Sequence, residues 1–432
     1  MTFQSVLEPS VKVSHRPDRI VVINDHSSTN GGTAALCLLS IRHFRARGIP
    51  VTFVCGDAGE NAALRALGVD IRPLGSADLL MRAKLKAAIE GVHNTAAKTL
   101  LDEVIAEVAG PDTIFHVHGW AQILSPSIFS ALKKVAHRTF IHAHDTFLAC
   151  PNGMYMDYQK NEVCTRRPLS AGCIATNCDK RSYMQKLWRV ARHNALVRSL
   201  DKNANWAGII TIHPDVVTKF TRAGFPADRL ITVRNPAQAF SNTRVLAEQN
   251  DTIVYVGRLE RDKGVLDLAK ASRTANVKLR MIGDGALFEM LAQNYPEIEL
   301  TGWQSPKQIG GLVQDARVLV MPSHHPEPVA MVIPEAVQSG LPVLVSDTAV
   351  LAREIERRGF GLSFNVFDAE HLTSRLEKIK KMPEQDMRSM SETCVNHGHD
   401  LSLTQEAWSD ALLQKYCSAI EEVPAASLGV SV

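Results

Sequence analysis

Residues His325–Asp347 read HPEPVAMVIPEAVQSGLPVLVSD. The apolar run Val318–Met321 stands just before them, and a second run, Pro342–Val345, stands near their end. Proline suits the first turn of a helix, where its missing N–H leaves no bond unmade. Pro334 therefore predicts a helix starting beside it, between two strands. Both runs are continuous and do not alternate with polar residues, as in strands covered on two faces. Strand, loop, helix and strand in this order predict a parallel α/β unit.

The same unit recurs along the chain. The first half offers Arg19–Asn24, Val51–Cys55, Ile114–Val117, Thr139–His142 and Gly208–Ile212 as candidate strands. The second half adds Thr252–Val256, Lys278–Ile282, Ile298–Leu300 and Gly361–Phe364. Helical stretches such as Thr33–Arg47 and Lys307–Asp315 lie between them. The polar, irregular Asn235–Asp251 interrupts the alternation, which then starts afresh. The predicted architecture is two Rossmann-like, doubly wound parallel-sheet domains, residues 1–240 and 241–400, facing an interdomain cleft. Residues 401–432 are helical with no strand after them, so this end is expected to pack back on the first domain. Open α/β sheets bind ligands at the carboxyl ends of their strands. The chemistry is therefore expected in loops that follow strands.

Composition narrows the function classes. A length of 432 residues suits two or three domains of about 150 residues each. An apolar fraction of 45% and a charged fraction of 22% exclude a disordered chain. Lys+Arg 48 against Asp+Glu 45 leaves +3, too weak a field to announce nucleic acid. Eight cysteines are too few for a disulfide scaffold. The first residues lack an apolar signal core, and no uncharged apolar run reaches the roughly 18 residues of a membrane span. These features predict a cytoplasmic setting, compatible with peripheral contact on the inner face of the cell membrane.

Two loops carry the strongest chemical signal. In the quoted stretch, Glu327 belongs to the loop and Glu335 to the first helical turn. Backbone N–H groups around Ala330, Met331, Val332 and Ile333 are expected to face the cleft, because a helix N-terminus attracts anions. A carboxylate in such a loop suits hydrogen bonds from sugar hydroxyls. The second loop is Val254–Gly264, VYVGRLERDKG, where Arg258 and Lys263 follow a strand and Gly257 permits close backbone approach. A guanidinium fork and an ammonium point charge grip one diphosphate. A third turn, Met281–Ala286 (MIGDGA), adds Gly283 and Gly285 at a strand end.

In this order the three loops resemble glycosyltransferase family 4, retaining enzymes of the GT-B fold. The family's Gly-Arg-x4-Lys-Gly element matches Gly257, Arg258, Lys263 and Gly264, and its Glu-x7-Glu element matches Glu327 and Glu335. Its Gly-x-Gly turn matches Gly283 and Gly285, and its Gly-Leu-Pro-Val stretch matches Gly340–Val343. The resemblance implies that Arg258 and Lys263 hold the donor diphosphate, Glu327 the transferred sugar and Glu335 the ribose. The chain departs from the usual Phe-Gly-Leu with Val329, Ala330 and Met331, where a Cβ at Ala330 restricts backbone approach to the donor.

The first half matches more loosely. Gly31 and Gly32 follow the first strand and let backbone N–H groups approach a phosphate or an acceptor. His118 and Trp120 follow another strand, and His144 and Asp145 a third. The family's histidine beside the donor sugar corresponds to His144, leaving His118, Trp120 and Asp145 as acceptor-side candidates; Thr211 and His213 are further cleft candidates. The implied reaction is transfer of a glycosyl unit from a UDP- or GDP-linked donor to a saccharide or lipid-linked acceptor. It retains the anomeric configuration, needs no metal for catalysis, and serves bacterial cell-surface polysaccharide synthesis. A nucleotide-sugar epimerase of the same fold and a catalytically silent nucleotide-sugar-binding scaffold are the competing readings.

Two features lie outside those motifs. Cys150, Cys164, Cys173 and Cys178 fall in a Pro/Gly/polar insertion, residues 150–178. They are candidate ligands of a structural zinc, against the alternative of four reduced thiols. From Lys160 to Lys202 there are ten Lys+Arg against three Asp+Glu, with Met184, Leu187, Trp188, Ala191 and Leu196 interleaved. This is either a basic amphipathic helix for an anionic membrane or a core-facing helix with solvated cations.

Overall fold

The apolar runs do form parallel strands. A computed structural model describes residues 16–421. The strands are β1 (Arg19–Asn24), β2 (Val51–Cys55), β3 (Asp70–Pro73), β4 (Thr113–Val117), β5 (Thr139–Ala143), β6 (Met156–Asp157), β7 (Glu162–Val163), β8 (Gly208–Thr211) and β9 (Leu230–Thr232). They continue as β10 (Thr252–Val256), β11 (Leu279–Ile282), β12 (Glu299–Leu300), β13 (Ala316–Met321), β14 (Val343–Ser346) and β15 (Gly361–Phe364). One sheet has the order β3-β2-β1-β4-β5-β8-β9, the other β12-β11-β10-β13-β14-β15, and β6 and β7 form a small hairpin. Central strands are buried along almost their whole length, Arg19 at the start of β1 being half buried, as continuous apolar runs require.

In each sheet the order reverses once, between β1 and β4 and between β10 and β13. A crevice opens where neighbouring strands send their connections to opposite faces. The loops after these four strands are therefore the places where sites can be built.

By compactness, residues 16–142, 199–209 and 409–421 form one unit, and 143–198 with 210–408 form the other. In the first unit the last helix, Gln405–Glu421, lays Tyr416 against Phe44, His116 and Phe140. In the second, Leu268, Met281, Val318 and Leu344 form part of one core layer, and Val254, Leu319, Ile333 and Val343 part of a layer on the opposite face. The segment that follows β9 joins this unit: Phe240 N donates to Ser339 Oγ (2.9 Å), and Arg244 pairs with Glu248 (2.7 Å).

Two edge strands escape the sequence reading. Asp70–Pro73 and Leu230–Thr232 are short and only half buried, so neither makes a continuous apolar run.

Candidate active site

The loop after β10 is shaped by glycine. Gly264 has φ 70°, a left-handed conformation, and ends the turn Arg261–Lys263 before the helix Val265–Ala275. A Cβ there would collide with the Pro322 carbonyl. Gly283, after β11, has φ 149°, and a Cβ would strike the Gly257 carbonyl. These glycines thus let three strand-end loops pack backbone to backbone. Further bonds fix the loop: Tyr255 Oη donates to Arg258 O (2.8 Å) and Leu259 N to Asp284 O (2.8 Å).

The loop after β13 is tied to its neighbours. His324 N donates to Asp262 O (3.1 Å), and Thr348 Oγ1 donates to Ser323 O (3.1 Å). The helix Val332–Gln338 then begins, with Glu335 in its first turn. Ile333 N donates to Ala330 O (3.0 Å), so that amide is used inside the turn and does not face a ligand. This corrects the expectation of four free amides there.

These loops, the loop after β5, the insertion and the segment after it line an open cavity of about 400 Å³. Arg258, Asp262, Lys263, His325, Glu327, Pro328 and Val329 line one side; His144, Asp145, Phe147, Asn152, Met154, Tyr158, Asp179, Lys180 and Arg189 line the other. The volume falls within the range of small-ligand sites. Four cations face it, each held by a carboxylate. Lys263 pairs with Glu327, Lys180 with Asp262 (2.6 Å), Arg189 with Asp179 (2.7 Å) and Arg258 with Glu260 (2.6 Å).

Glu327 is the hub. His325 Nε2 lies 3.0 Å from its Oε1, and Ser323 Oγ donates to the same oxygen (3.0 Å). Burial works against its charge, but the His325 hydrogen bond and Lys263 outweigh it and hold the carboxyl well below the usual range. Asp262 is also lowered: burial opposes, while Lys180 and His325 favour the charged form. His144 is pushed down to about 3 by burial, so its imidazole is neutral at working pH. Asp145 Oδ1 accepts from Phe147 N (2.8 Å) and shapes that loop.

Of the residues singled out in the sequence, His144, Asp145, Arg258, Lys263 and Glu327 meet on this cavity. Glu335 lies outside it, with burial raising its carboxyl to about 8. Ala330, Met331 and Val332 form the turn and start of its helix, and Ala330 and Val332 pack on the adjacent core. Gly257, Gly283 and Gly285 belong to the backbone contacts beneath the loops. His213 is 3.0 Å from Glu354, which burial would raise but His213, Arg234 and Arg358 hold down to about 2. Thr211 Oγ1 meets Thr232 Oγ1 at 3.1 Å.

The first unit treats its strand-end residues differently. Gly31 caps the helix Gly32–Ala46 with no side-chain cap, and both glycines are exposed. Trp120 is buried and packs edge-on against Phe129 (5.4 Å). His118 is buried in a stack with His116 and His142, ring centroids 4.1–5.4 Å apart. The nitrogens of this trio come within 4.8 Å of one another. Tyr416 Oη lies 2.6 Å from His116 Nδ1 and ties the stack to the last helix.

The insertion holds a second polar cluster. Cys150, Cys173 and Cys178 are buried. Cys150 Sγ donates to Asn152 Oδ1 (3.2 Å), and Asn152 Nδ2 lies 3.4 Å from Cys178 Sγ. Lys186 is fully buried, its Nζ 3.2 Å from Cys178 Sγ and 3.6 Å from Cys173 Sγ. Lys186 is therefore not one of the solvated cations of the basic stretch. The helix Tyr183–Leu200 also buries Leu196 while exposing Met184.

Sequence reasoning missed Tyr158, Asp179, Lys180, Arg189, Asp262 and His325 on the cavity. Asp262 and His325 were visible, since each lies inside a quoted motif. Tyr158 comes from the insertion and Asp179, Lys180 and Arg189 from the segment just after it, and all are brought in only by folding.

Comparison with known proteins finds similar sequences and folds. Residues 238–393 match the family model described as "Glycosyl transferases group 1". Over 131 residues the chain is 28% identical to lipopolysaccharide 1,2-N-acetylglucosaminetransferase of Salmonella typhimurium, covering 26% of this chain and 34% of that protein. The match thus spans about a third of that relative's length. Sucrose-phosphate synthase from Thermosynechococcus elongatus aligns with a TM-score of 0.67 at 17% identity, over 93% of this chain and 99% of that one. HepE of Anabaena, solved with UDP and glucose, aligns at 0.62 and 13% identity, over 94% and 100%. WaaG, a glycosyltransferase involved in lipopolysaccharide biosynthesis, aligns at 0.63 and 14%, over 91% and 99%. The chain shares the two-sheet α/β fold of these GT-B glycosyltransferases.

Proposed function

We propose that this chain is a retaining glycosyltransferase of family 4 type. It moves a hexosyl unit from a nucleoside-diphosphate donor to a saccharide or lipid-linked saccharide, in bacterial cell-surface polysaccharide synthesis at the cytoplasmic side of the membrane. The observation that carries this reading is the convergence of Arg258, Lys263 and Glu327 on one cavity at the β10/β13 crevice. It is supported by the family match over the same segment.

In this reading the donor diphosphate takes over Lys263 and Arg258 from their carboxylate partners. Charge grows on the leaving diphosphate as the glycosidic bond breaks, and fixed cations stabilise that state most. Glu327, kept ionised, accepts hydrogen bonds from sugar hydroxyls, and the neutral His144 imidazole positions the sugar from the opposite wall. Glu335 binds the ribose. The cations supply the charge compensation, so catalysis is read as metal-independent. Cys150, Cys164, Cys173 and Cys178 are read as a structural zinc site, which requires the Lys186 ammonium to give way. Stoichiometric zinc, lost on Cys173→Ser, is the expected result of metal analysis; metal-free protein overturns that part.

The test incubates labelled UDP- and GDP-sugars with the protein, alone and with membrane lipid extract. Label moved to lipid or glycan is expected. An isomerised donor would identify an epimerase. Binding without turnover would identify a silent scaffold.

A further inference from the structure

Four large apolar side chains stand clear of the first unit in one short segment. Leu80, Met81, Leu85 and Ile89 are 75, 80, 75 and 60% exposed. Leu80 and Met81 lie in the 3₁₀ turn Leu79–Met81, and Leu85 and Ile89 are four apart on the helix Lys84–Val92. Residues four apart share a helix face. An exposed apolar group of this kind marks an interaction site.

The segment is held rigidly. Leu79 N donates to Gln122 O (3.0 Å), and Arg82 donates to Ala77 O (2.8 Å) and Ile123 O (3.3 Å). Arg82 also pairs with Glu90 (2.7 Å). The apolar face is thus fixed outward on the loop that follows β4.

Charge selects the occupant. Lys84 and Lys86 flank the stripe and are exposed. The nearby acids are engaged: Glu90 by Arg82 and Lys86, and Asp78 by His26 at 3.5 Å. An apolar stripe rimmed by ammonium groups matches an anionic lipid surface, which takes apolar side chains into the acyl boundary and cations at its headgroups. We propose that Leu79–Val92 is a membrane-docking surface that seats the chain on an anionic bilayer. The choice of a bilayer rests on the proposed lipid-linked acceptor. The basic stretch Lys160–Lys202 is the weaker candidate, because Lys186 and Leu196 are buried and Arg189 is paired with Asp179.

The test is flotation of the full chain with phosphatidylcholine vesicles, with and without phosphatidylglycerol. The wild type is expected to float with the anionic vesicles and to release as salt rises. Leu85→Glu with Ile89→Glu is expected to lower the bound fraction about tenfold or more, and Met184→Glu to leave it unchanged. Thermal shift by a nucleotide sugar, equal in wild type and variant, shows that the variant is folded. Wild type that does not float, or a double variant that floats equally, overturns the proposal. So does a dimer of the wild type, seen by light scattering and lost in the double variant, which would make a second copy the occupant. Donor binding without flotation removes the docking surface alone; flotation without donor binding removes the transferase reading alone.

Discussion

The two sheets carry the same crevice and furnish it in opposite ways. At β10/β13 the loop side chains Arg258, Asp262, Lys263 and Glu327 turn into a cavity, where Lys180, Arg189 and Asp179 meet them from another segment. At β1/β4 they bind the loops to each other. Asp25 accepts from Gln122 N (2.8 Å), Ile123 N (2.8 Å) and Leu124 N (2.9 Å), and the histidines stack in the core. One topology therefore yields a polar chamber in one place and a hydrogen-bonded clasp in the other. Topology sets where a site can be, and the side chains decide whether one exists.

The largest expected effect breaks the chamber. Lys263→Ala is expected to lower turnover of labelled donor by about 10²–10³-fold, as loss of a preorganised charge donor does. Arg258→Ala is expected to cost about 10²-fold. Near-wild-type turnover in both would remove the diphosphate assignment.

The next effect falls on the clasp. Asp25→Ala strips the acceptor from three backbone amides and is expected to cost ~3 kcal/mol of unfolding free energy in a urea titration. Donor-induced thermal shift should persist in the variant. A variant of full stability that no longer binds donor would reverse the comparison.

A third prediction uses pH. The Glu335 carboxyl ionises near 4.5 when unfolded and near 8 in the fold. Between these values the folded chain keeps a proton that the unfolded chain has lost, so this group costs stability as pH rises through that window. Glu335→Gln is expected to gain up to about 5 kcal/mol over wild type at pH 9 and almost nothing at pH 4. Parallel melting curves across that range would deny the raised carboxyl. The smallest effect concerns the far wall: Lys180→Ala is expected to raise the donor KM about tenfold with kcat little changed, as loss of uniform binding does.

How much was legible in the sequence follows from where each residue gets its information. Central strands such as Val318–Met321 announce themselves, because burial on both faces demands an unbroken apolar run. The edges β3 and β9 do not, since one side meets solvent and Pro73 ends the first of them. Arg258, Lys263 and Glu327 were readable because each pair of neighbours in space is framed by a local strand, glycine or turn. Lys180, Arg189 and Tyr158 were not, because their place depends on how the insertion and the segment after it fold over. Trp120 and Lys186 show what packing alone assigns. Trp120 supports Phe129, and Lys186 sits fully buried beside two sulfurs.

The chamber also carries its own counter-ions. A small stray anion that meets only one cation must evict a tethered carboxylate for a single new contact, which is a poor exchange. A ligand bearing two linked phosphates and a polyol displaces several of these pairs at once and occupies both walls. On the proposed function, resident ion pairing would act as an entry threshold, tuned to the length and charge of the donor, before any selectivity for the base or the sugar comes into play.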